Sequence, residues 1–397
     1  MISILQDMIP RRVRSLVEER LATYPAVALV GPRQCGKTTL AQAMGGSYFD
    51  LELEPDRLRL DLEWDRLRTG HELVILDEAQ AWPEVFVRLR SAIDQERGRV
   101  GRFLLLGSVS PSLMVQVSES LAGRLSLVDL TPLLWSELPE GVELDRRWLC
   151  GGFPEGGVLT PRRFPHWQRD YLALLAQRDL PNWGLPTRAR TTDRLLRMTA
   201  AVHGQTWNAS QVGQSMGVSY QTVNSYLDYL EGAFLIRRLL PFQANVRKRL
   251  VKRPKLYWRD TGLLHALLNT PDHRTLLAQP WVGASWEGFV VEQVISEMSA
   301  AGRVFEAFYF RTSDRYEADL VLEVAGELWA LEVKLTAAPG PDDLRRLDKV
   351  AGMIGASRRF LLTRTPRPAG DEHRASLDLL SFLKLLRTDP PWTFPPS

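Results

Sequence analysis

The sequence is poor in cysteine and has no long hydrophobic run. Two cysteines among 397 residues cannot form a disulfide framework, which excludes a small secreted scaffold. Apolar runs such as Phe103–Leu106 are far shorter than the roughly 20 residues that span a bilayer. The first residues, MISILQDMIPRR, have no basic segment before an extended apolar core, so no signal peptide is predicted. We therefore expect a cytoplasmic protein with no membrane partner.

Neither sign of charge dominates, because 50 Lys and Arg against 47 Asp and Glu leave a formal charge of +3. This balance does not by itself indicate nucleic-acid binding, so local clusters of charge have to be considered. The six histidines lack the spacing of zinc ligands. A content of 45% hydrophobic and 24% charged residues is typical of a globular chain, and the length suits two or three domains.

A phosphate-binding pattern follows the first short apolar run. Ala26–Val30 predicts a strand, Gly31-x-x-x-x-Gly36-Lys37-Thr38 follows it, and an apolar helical pattern comes next. This is the Walker A motif in its strand–loop–helix setting, where backbone N–H groups and the helix N-terminus face a phosphate. Lys37 would reach the β- and γ-phosphates, and Thr38 would ligate Mg²⁺. The predicted ATP-binding loop comprises Gly31, Pro32, Arg33, Gln34, Cys35, Gly36, Lys37, Thr38 and Thr39.

A second motif, which is acidic, completes the predicted ATPase site. The apolar run Leu73–Leu76 predicts a strand, and Asp77 and Glu78 follow it directly. Asp77 would hold Mg²⁺ through water, and Glu78 would polarise the attacking water. An acid pair after a strand is weak evidence alone, but it becomes strong downstream of Lys37. ATP hydrolysis is the activity that the sequence supports best.

Three polar residues are further candidates for contact with the γ-phosphate. Ser108 follows the next predicted strand, although it could instead be a turn serine that caps a helix from Pro111. Arg124 could sense the γ-phosphate or act on the nucleotide of a neighbouring subunit, since arginine stabilises the charge of phosphoryl transfer. The alternative is an ordinary surface arginine. Arg33 could likewise face phosphate or a neighbouring subunit.

The middle of the chain predicts a helix-turn-helix. A short helix at Ala209–Met216, a turn at Gly217-Val218-Ser219 and a longer helix have the spacing of this motif, and a strand-like segment with a basic loop suggests a winged helix. The alternative is a protein-docking unit with a solvated basic surface. The predicted DNA contacts are Gln221, Thr222 and Asn224 in the second helix, and Arg247, Lys248, Arg249, Lys252, Arg253 and Lys255 in the basic segment.

The last third carries acidic residues in the spacing of a metal site. Glu287 begins an amphipathic helix with apolar residues at 290, 291, 294 and 295, and Asp319 lies on a predicted strand. Glu332 and Lys334 are two apart on the returning strand and so face the same side. The three carboxylates would ligate Mg²⁺ or Mn²⁺, and Lys334 would orient the attacking water. The alternatives are a Lys334–Glu332 ion pair, or a fold that binds without cutting.

These motifs resemble a known family. GPRQCGKTTL, LVILDEAQ, LLLGSVSPSL, LAGR and LTPLLWSE, followed by CGGFPE, YWRDTGLLHALL, SWEGFVVEQV and LEVKL, are similar to AAA+ ATPases with a C-terminal DUF4143-type domain. The resemblance covers nearly the whole chain. It implies a five-stranded parallel core and ring or helical homo-oligomers, a hexamer among them. The acidic pattern resembles PD-(D/E)xK nucleases of the Holliday-junction-resolvase type, with Ala318 in place of proline.

The expected fold class is α/β, with four parts along the chain. These are an AAA+ P-loop core with a parallel sheet (1–140), a helical lid (141–185), a winged-helix domain (186–278) and a restriction-endonuclease-like α/β domain (279–397). The expected function is an ATPase that couples Mg-ATP hydrolysis to binding, remodelling or translocation of duplex or branched DNA. Metal-dependent DNA cleavage stays open. The alternative is an ATP-dependent oligomerisation or signalling switch whose C-terminal domains bind proteins.

Overall fold

The first part of the chain builds a small parallel sheet covered by helices. The structure is a computed structural model and describes residues 9–107, 121–243 and 250–388. The elements of the N-terminal unit are α1 (Arg14–Leu21), β1 (Ala26–Val30), α2 (Lys37–Gln42), β2 (Ser47–Asp50), α3 (Glu54–Thr69), β3 (Val74–Asp77), a 3₁₀ turn (Ala79–Ala81), α4 (Glu84–Gln95), β4 (Phe103–Gly107), β5 (Leu125–Asp129) and a second 3₁₀ turn (Trp135–Glu137).

All five of these strands run parallel, in the spatial order β2-β3-β4-β1-β5. Strands β1, β3 and β4 are buried along their whole length, as expected where helices cover both faces of a parallel sheet. The order confirms the expected parallel core. It also places the ends of β1 and β3, which carry the two phosphate-site motifs, at the same edge of the sheet, with β4 between them. Ser108, which follows β4, lies outside the described residues.

The middle of the chain is mostly helical. Its elements are α5 (Leu144–Cys150), a π-helical turn (Pro154–Val158), a 3₁₀ turn (Pro161–Arg163), α6 (His166–Leu174) continued by a π-helical turn (Leu175–Asp179) and a last turn (Leu180–Asn182), α7 (Ala189–Ala201), β6 (Gln205–Thr206), α8 (Ala209–Met216), α9 (Tyr220–Gly232), β7 (Ile236–Pro241), β8 (Lys255–Trp258), α10 (Thr261–Leu267) and α11 (His273–Leu277).

Helices α8 and α9 lie where the sequence places them. Gly217 ends α8 in the left-handed conformation, with φ of 72°, which glycine adopts without strain. The hydroxyl of Ser219 caps α9 by accepting the N–H of Thr222. The short turn between the two helices is therefore encoded locally.

The last part of the chain packs helices on a mixed sheet. Its elements are α12 (Val282–Ala300), β9 (Phe305–Arg311), β10 (Glu317–Val324), β11 (Glu327–Val333), α13 (Pro341–Ile354), β12 (Arg358–Thr363), β13 (Ala369–Gly370), β14 (Arg374–Asp378) and α14 (Leu379–Leu386). Strands β10 and β11 form the predicted hairpin, turning at Ala325 and Gly326, both with positive φ. In the part of the chain that the structure describes, no helix is long and apolar enough to cross a membrane.

One sheet runs through the predicted middle and C-terminal domains. Strand β7 pairs in parallel with β9, at Leu240 with Phe308 and Pro241 with Tyr309. Within the described ranges the sheet has nine strands, in the order β13-β14-β12-β11-β10-β9-β7-β8-β6. The boundary placed near residue 278 is therefore not a break in the sheet. Hydrogen bonds between β7 and β9 fix the helix-turn-helix relative to the C-terminal strands.

Helix α12 differs from the expected amphipathic helix, because from Gly288 to Met298 it is buried on every face. Its polar residues Glu292, Gln293 and Glu297 are as buried as its apolar ones. The reason is its position between the nine-stranded sheet and the N-terminal unit, where these three polar side chains have partners. The carboxylate of Glu292 accepts from Arg237 (2.7 and 3.1 Å) and Arg259 (2.7 Å).

The N-terminal unit is joined to α12 by polar contacts. The N–H of Trp135 donates to Gln293 Oε1 (2.7 Å), and Ser136 Oγ donates to Glu297 Oε2 (2.7 Å). Glu297 also pairs with Arg387 (2.7 Å) of the C-terminal end. These hydrogen bonds join the 3₁₀ turn after the parallel sheet to the buried helix.

The buried Glu292 ion pair predicts a pH-dependent contribution to stability. Burial favours the neutral acid, but Arg237 and Arg259 outweigh it and lower the pKa of Glu292 from 4.5 to about 2. A lowered carboxyl pKa stabilises the fold above the unfolded pKa, and that contribution is lost as the pH falls toward the folded value. Glu292→Gln should therefore cost about 3 kcal/mol near pH 7, and less as the pH falls from 5 to 3. Urea unfolding followed by tryptophan fluorescence measures this difference.

The matched control is Glu323→Gln, the same change at an exposed position of β10. It should leave the free energy of unfolding within about 0.5 kcal/mol of the wild type at each pH. Equal losses in the two variants, or a Glu292→Gln effect that does not change between pH 5 and pH 3, would contradict the role given to this ion pair.

Candidate functional site

The loop between β1 and α2 requires the two glycines of the predicted motif. A Cβ on Gly31 would lie 2.1 Å from the carbonyl oxygen of Leu130, so the close approach of these two backbone segments excludes a side chain. Gly36 has φ of 100°, a conformation that other residues rarely adopt, and α2 begins directly after it at Lys37. The loop therefore has the compact form in which its N–H groups and the start of a helix face one point.

Lys37 is held at the centre of this loop. Its side chain is buried, with 6% of the residue exposed, and Nζ donates to the carbonyl oxygens of Gly31 (3.0 Å) and Pro32 (2.9 Å). A buried ammonium group needs such partners, because desolvation of an unpaired charge is costly. These contacts hold the ammonium group of Lys37 over the loop, where it could bind a phosphate group.

Thr38 and Asp77 meet at the carboxyl edge of the sheet. Thr38 Oγ1 donates to Asp77 Oδ2 at 2.6 Å, and only 5% of Asp77 is exposed. Tyr48 from β2 donates its hydroxyl to the same carboxylate oxygen (2.8 Å). A hydroxyl and a carboxylate are ligands that Mg²⁺ prefers, so the residues predicted to hold it fit the ion. Sequence reasoning missed Tyr48, whose strand carries no motif.

Glu78 begins the turn after β3 in a left-handed conformation, with φ of 48°. Burial raises the pKa of Glu78, and the charges of Lys37 and Arg33 act in the opposite direction. The side-chain amide of Gln80 donates to its carboxylate. The predicted general base thus lies within the electrostatic reach of the loop lysine, in a partly buried place where a carboxylate is a stronger proton acceptor.

Arg33 connects the loop to the helical lid. Its Nη1 donates to Asp179 (2.9 Å), its Nη2 lies 3.6 Å from Glu52, and its carbonyl oxygen accepts from the hydroxyl of Tyr171 (3.3 Å). In this structure Arg33 is therefore engaged within the chain. Tyr171 packs against Phe153 in the lid, and Tyr171 and Asp179 both contact the nucleotide loop.

The remaining predicted residues of the ATPase site are placed as follows. Arg124 forms a two-pronged ion pair with Asp94 (2.9 and 3.0 Å), so it is occupied within the chain. Cys35 is buried, and its carbonyl oxygen accepts from Arg11 (2.7 Å), a residue that the motif did not indicate. Gln34 and Thr39 are exposed at the loop surface.

A second set of predicted residues meets in a cleft on the nine-stranded sheet. Glu287, Asp319, Glu332 and Lys334 all line this cleft, which has a volume of about 590 Å³. Lys334 pairs with Glu332 at 2.5 Å, the contact that the sequence left open as an alternative. Asp319 accepts the N–H of Val333 (2.9 Å). The convergence of these side chains is as predicted, and we call this region the acidic cleft.

The prediction that Lys255 binds DNA is wrong. It begins β8 rather than lying in the basic loop, and 2% of the residue is exposed. Its Nζ lies 2.6 Å from Glu317, 2.9 Å from Glu287 and 3.5 Å from Asp319. Lys255 is unavailable for DNA because β8 pairs with neighbours on both sides and directs the side chain into the acidic cleft.

The carboxylates of the acidic cleft do not fit a divalent cation in this structure. Among the residues that the structure describes, no group of three or more acidic, histidine or cysteine side chains is arranged to hold a metal ion. Burial and the nearby Asp319 raise the pKa of Glu287 to about 7 and that of Glu332 to about 8. Of the predicted metal set, Glu287 and Asp319 contact the ammonium group of Lys255 instead, whereas Glu332 pairs with Lys334.

The predicted DNA contacts are partly accessible. Gln221 is exposed at the start of α9, whereas the side chain of Asn224 accepts from Trp207 Nε1 (3.1 Å) and the hydroxyl of Thr222 contacts that of Ser219 (2.9 Å). In the basic segment Lys252 and Arg253 are exposed. Arg247, Lys248 and Arg249 lie outside the described residues.

The parallel sheet, the loop and the Thr38–Asp77 pair define the class of P-loop ATPases. Family models agree: residues 23–139 match an AAA domain, residues 142–274 match a domain of unknown function (DUF8612), and residues 282–379 match a domain of unknown function (DUF4143). The uncharacterized proteins Rv2008c of Mycobacterium tuberculosis and Mb2031c of Mycobacterium bovis are each 39% identical over 334 residues, which is 83% of this chain and 74% of theirs.

The chain belongs to the family of these uncharacterized proteins, and in this chain an AAA domain precedes a DUF4143 domain. Among solved structures, a Walker-type ATPase of Pyrococcus abyssi aligns with a TM-score of 0.48 at 16% identity, covering 66% of this chain and 97% of its own.

Replacement of the loop lysine tests the nucleotide site. Lys37→Ala removes the ammonium group that the loop holds for the phosphates, so ATP should bind at least about 100-fold more weakly. The measurement is titration of a fluorescent ATP analogue, with circular dichroism to establish that the variant is folded. Lys384→Ala, the same change at an exposed position of α14, should bind ATP like the wild type. Unchanged affinity in Lys37→Ala would remove the basis for this site.

A second variant separates binding from chemistry. Glu78→Gln keeps the shape and size of the side chain but cannot accept a proton from water, so ATP should bind normally while turnover falls by about 10²–10⁴-fold. Steady-state phosphate release and nucleotide titration measure the two effects. Glu84→Gln, on the exposed first turn of α4, serves as the control. Turnover within a few-fold of the wild type would exclude Glu78 as the base.

Proposed function

We propose that this protein is a DNA-associated ATPase that couples hydrolysis of Mg-ATP to the binding and rearrangement of DNA. The observation that carries ATP hydrolysis is the meeting of Lys37, Thr38 and Asp77 at one edge of the parallel sheet. The DNA part of the proposal rests on the exposed residues of the middle domain and on the mechanical link between the two sheets.

Each residue of the nucleotide site has a distinct part. Lys37 neutralises the negative charge of the β- and γ-phosphates, and the N–H groups of the loop orient these phosphates. Thr38 and Asp77 would hold Mg²⁺, which would supply positive charge against the negative charge that develops on the phosphates during hydrolysis. Glu78 accepts the proton of the attacking water. Arg33 and Tyr171 let the lid respond to what the loop contains.

The contacts of α12 support coupling between the nucleotide site and the rest of the molecule. The 3₁₀ turn that follows the parallel sheet donates hydrogen bonds to Gln293 and Glu297 of this helix. Through the adjacent Glu292, α12 also binds Arg237 of β7, the strand that follows the helix-turn-helix. A shift of the ATPase unit therefore has a short route of buried polar contacts to α8 and α9.

DNA binding is supported by the surface next to these helices. Gln221 is exposed at the start of α9, the position from which a recognition helix contacts base edges. Lys252 and Arg253 are exposed in the connection before β8, where they could contact phosphates.

We also propose that the ATPase works as a homo-oligomer, in which Arg124 acts on the nucleotide of the neighbouring subunit. Arginine in that position stabilises the transition state of phosphoryl transfer. Its partner within the chain, Asp94, is partly exposed, so exchange of one contact for the other requires no rearrangement of the core.

One observation favours a second function, a switch that binds protein partners. The sequence of α9, YQTVNSYLDYLEG, contains no lysine or arginine and two acids. Such a helix has no charge attraction for phosphates, so contact with DNA would depend on the neighbouring segments. A winged helix of this composition would serve equally well to dock a protein.

Salt dependence distinguishes the two functions. The double variant Lys252→Ala with Arg253→Ala should weaken binding to duplex DNA by about tenfold or more at low salt, and should reduce the slope of log affinity against log salt by about 2. Fluorescence anisotropy with labelled duplex and four-way-junction DNA measures both quantities. ATP turnover should also rise with the DNA form that binds best.

The control removes two exposed arginines from the lid, Arg162→Ala with Arg169→Ala, and so changes the net charge equally. This variant should bind DNA like the wild type. If the wild type shows no salt-dependent DNA binding, and its turnover is indifferent to every DNA form, the protein-binding switch is the better description.

A further inference from the structure

The acidic cleft holds an ammonium group at the point where its carboxylates converge. We propose that the ammonium group of Lys255 occupies the place of a divalent metal ion in this cleft, so that the cleft functions without a bound metal ion. The inference concerns the cleft alone and holds whether or not the protein binds DNA.

The geometry around Lys255 is that of a cation site. Its Nζ lies within 3.5 Å of oxygens from Glu317, Glu287 and Asp319, which come from β10 and α12. The ring of Tyr309 lies with its centroid 5.6 Å from the same nitrogen, which adds a cation–π contact on another side. Three acids and an aromatic ring therefore surround one buried positive charge.

The carboxylates are satisfied without a metal ion. Asp319 uses its second oxygen to accept the N–H of Val333, and Glu317 also lies 3.5 Å from Arg311. Glu332 pairs with Lys334, and Glu287 accepts from the hydroxyl of Tyr257. Each acid thus has a protein donor, and a metal ion would have to replace several of these contacts at once.

Lys255 cannot leave this position easily. It lies on a strand that is hydrogen-bonded on both sides, to β6 and to β7, so its backbone is fixed. Withdrawal of the ammonium would leave the buried Asp319 and the partly buried Glu287 without this counter-charge, which is costly. With the ammonium in place, a divalent cation would meet a like charge about 3 Å from the ligands it needs.

Exposed cations stand around the mouth of the cleft. Arg315 and Arg346 line the cleft and are exposed, and Lys334 lines it as well. The acids of the cleft are thus neutralised by Lys255, and exposed basic side chains surround them. This arrangement suits the binding of a phosphodiester without its hydrolysis. The retained acids then serve to position Lys255 and the strands around it.

The test is the binding of Mn²⁺ alone to the full chain, measured by the loss of the electron paramagnetic resonance signal of free Mn²⁺. All proteins carry Asp77→Asn, so that the nucleotide site does not contribute. With the native cleft we expect no site tighter than about 1 mM. Lys255→Met, which removes the charge and keeps the length, should create one site that binds at least about tenfold more tightly. Adding Asp319→Asn to it should abolish that site.

Two further variants keep the outcome decisive. Lys255→Arg retains the positive charge and should bind Mn²⁺ as weakly as the native cleft. If Lys255→Met does not fold, the proposal is still tested by comparing Mn²⁺ binding to the native cleft with Mn²⁺ binding to the Asp319→Asn variant. A native cleft that binds one Mn²⁺ more tightly than about 0.1 mM, with loss of binding in Asp319→Asn, would overturn the proposal. So would a folded Lys255→Met that gains no site.

Discussion

The structure depends on the burial of charged groups along α12. This helix lies between the parallel sheet and the nine-stranded sheet, where an apolar helix would pack more simply. Glu292 and Glu297 instead bind arginines from β7, from the segment after β8 and from the C-terminal end. Since an unpaired buried charge is costly, each of these contacts requires the others to form. The ion pairs thus fix the relative positions of parts that are far apart in the chain.

That constraint gives the ATPase unit a defined relation to the rest of the molecule. The loop that would hold the nucleotide contacts the helical lid through Arg33 and Tyr171, and the turn after the parallel sheet contacts α12. Both connections are hydrogen bonds between polar groups, so each requires a defined geometry of its two partners.

The nucleotide site was largely predictable from sequence, because its chemistry comes from contiguous residues. A strand, two glycines, Lys37 and Thr38 are enough to specify the loop, and Asp77 follows the neighbouring strand. What pattern reasoning could not supply are Tyr48, Arg11 and Asp179, since they reach the site from separate elements and carry no motif. The acidic residues of the C-terminal sheet were likewise foreseen as a group, but their cation was not.

Local sequence determined the elements themselves: the P-loop turn, the capped helices α8 and α9, and the hairpin of β10 and β11 each follow from neighbouring residues. Tertiary structure alone decided which other parts of the chain those elements contact. Lys255 stands in a run of basic residues, and its neighbours Lys252 and Arg253 are exposed as such a run predicts. Its own side chain is buried because β8 is paired on both sides and faces three carboxylates from distant segments. Charge composition is a property of the segment, whereas the partner of a charge is a property of the fold.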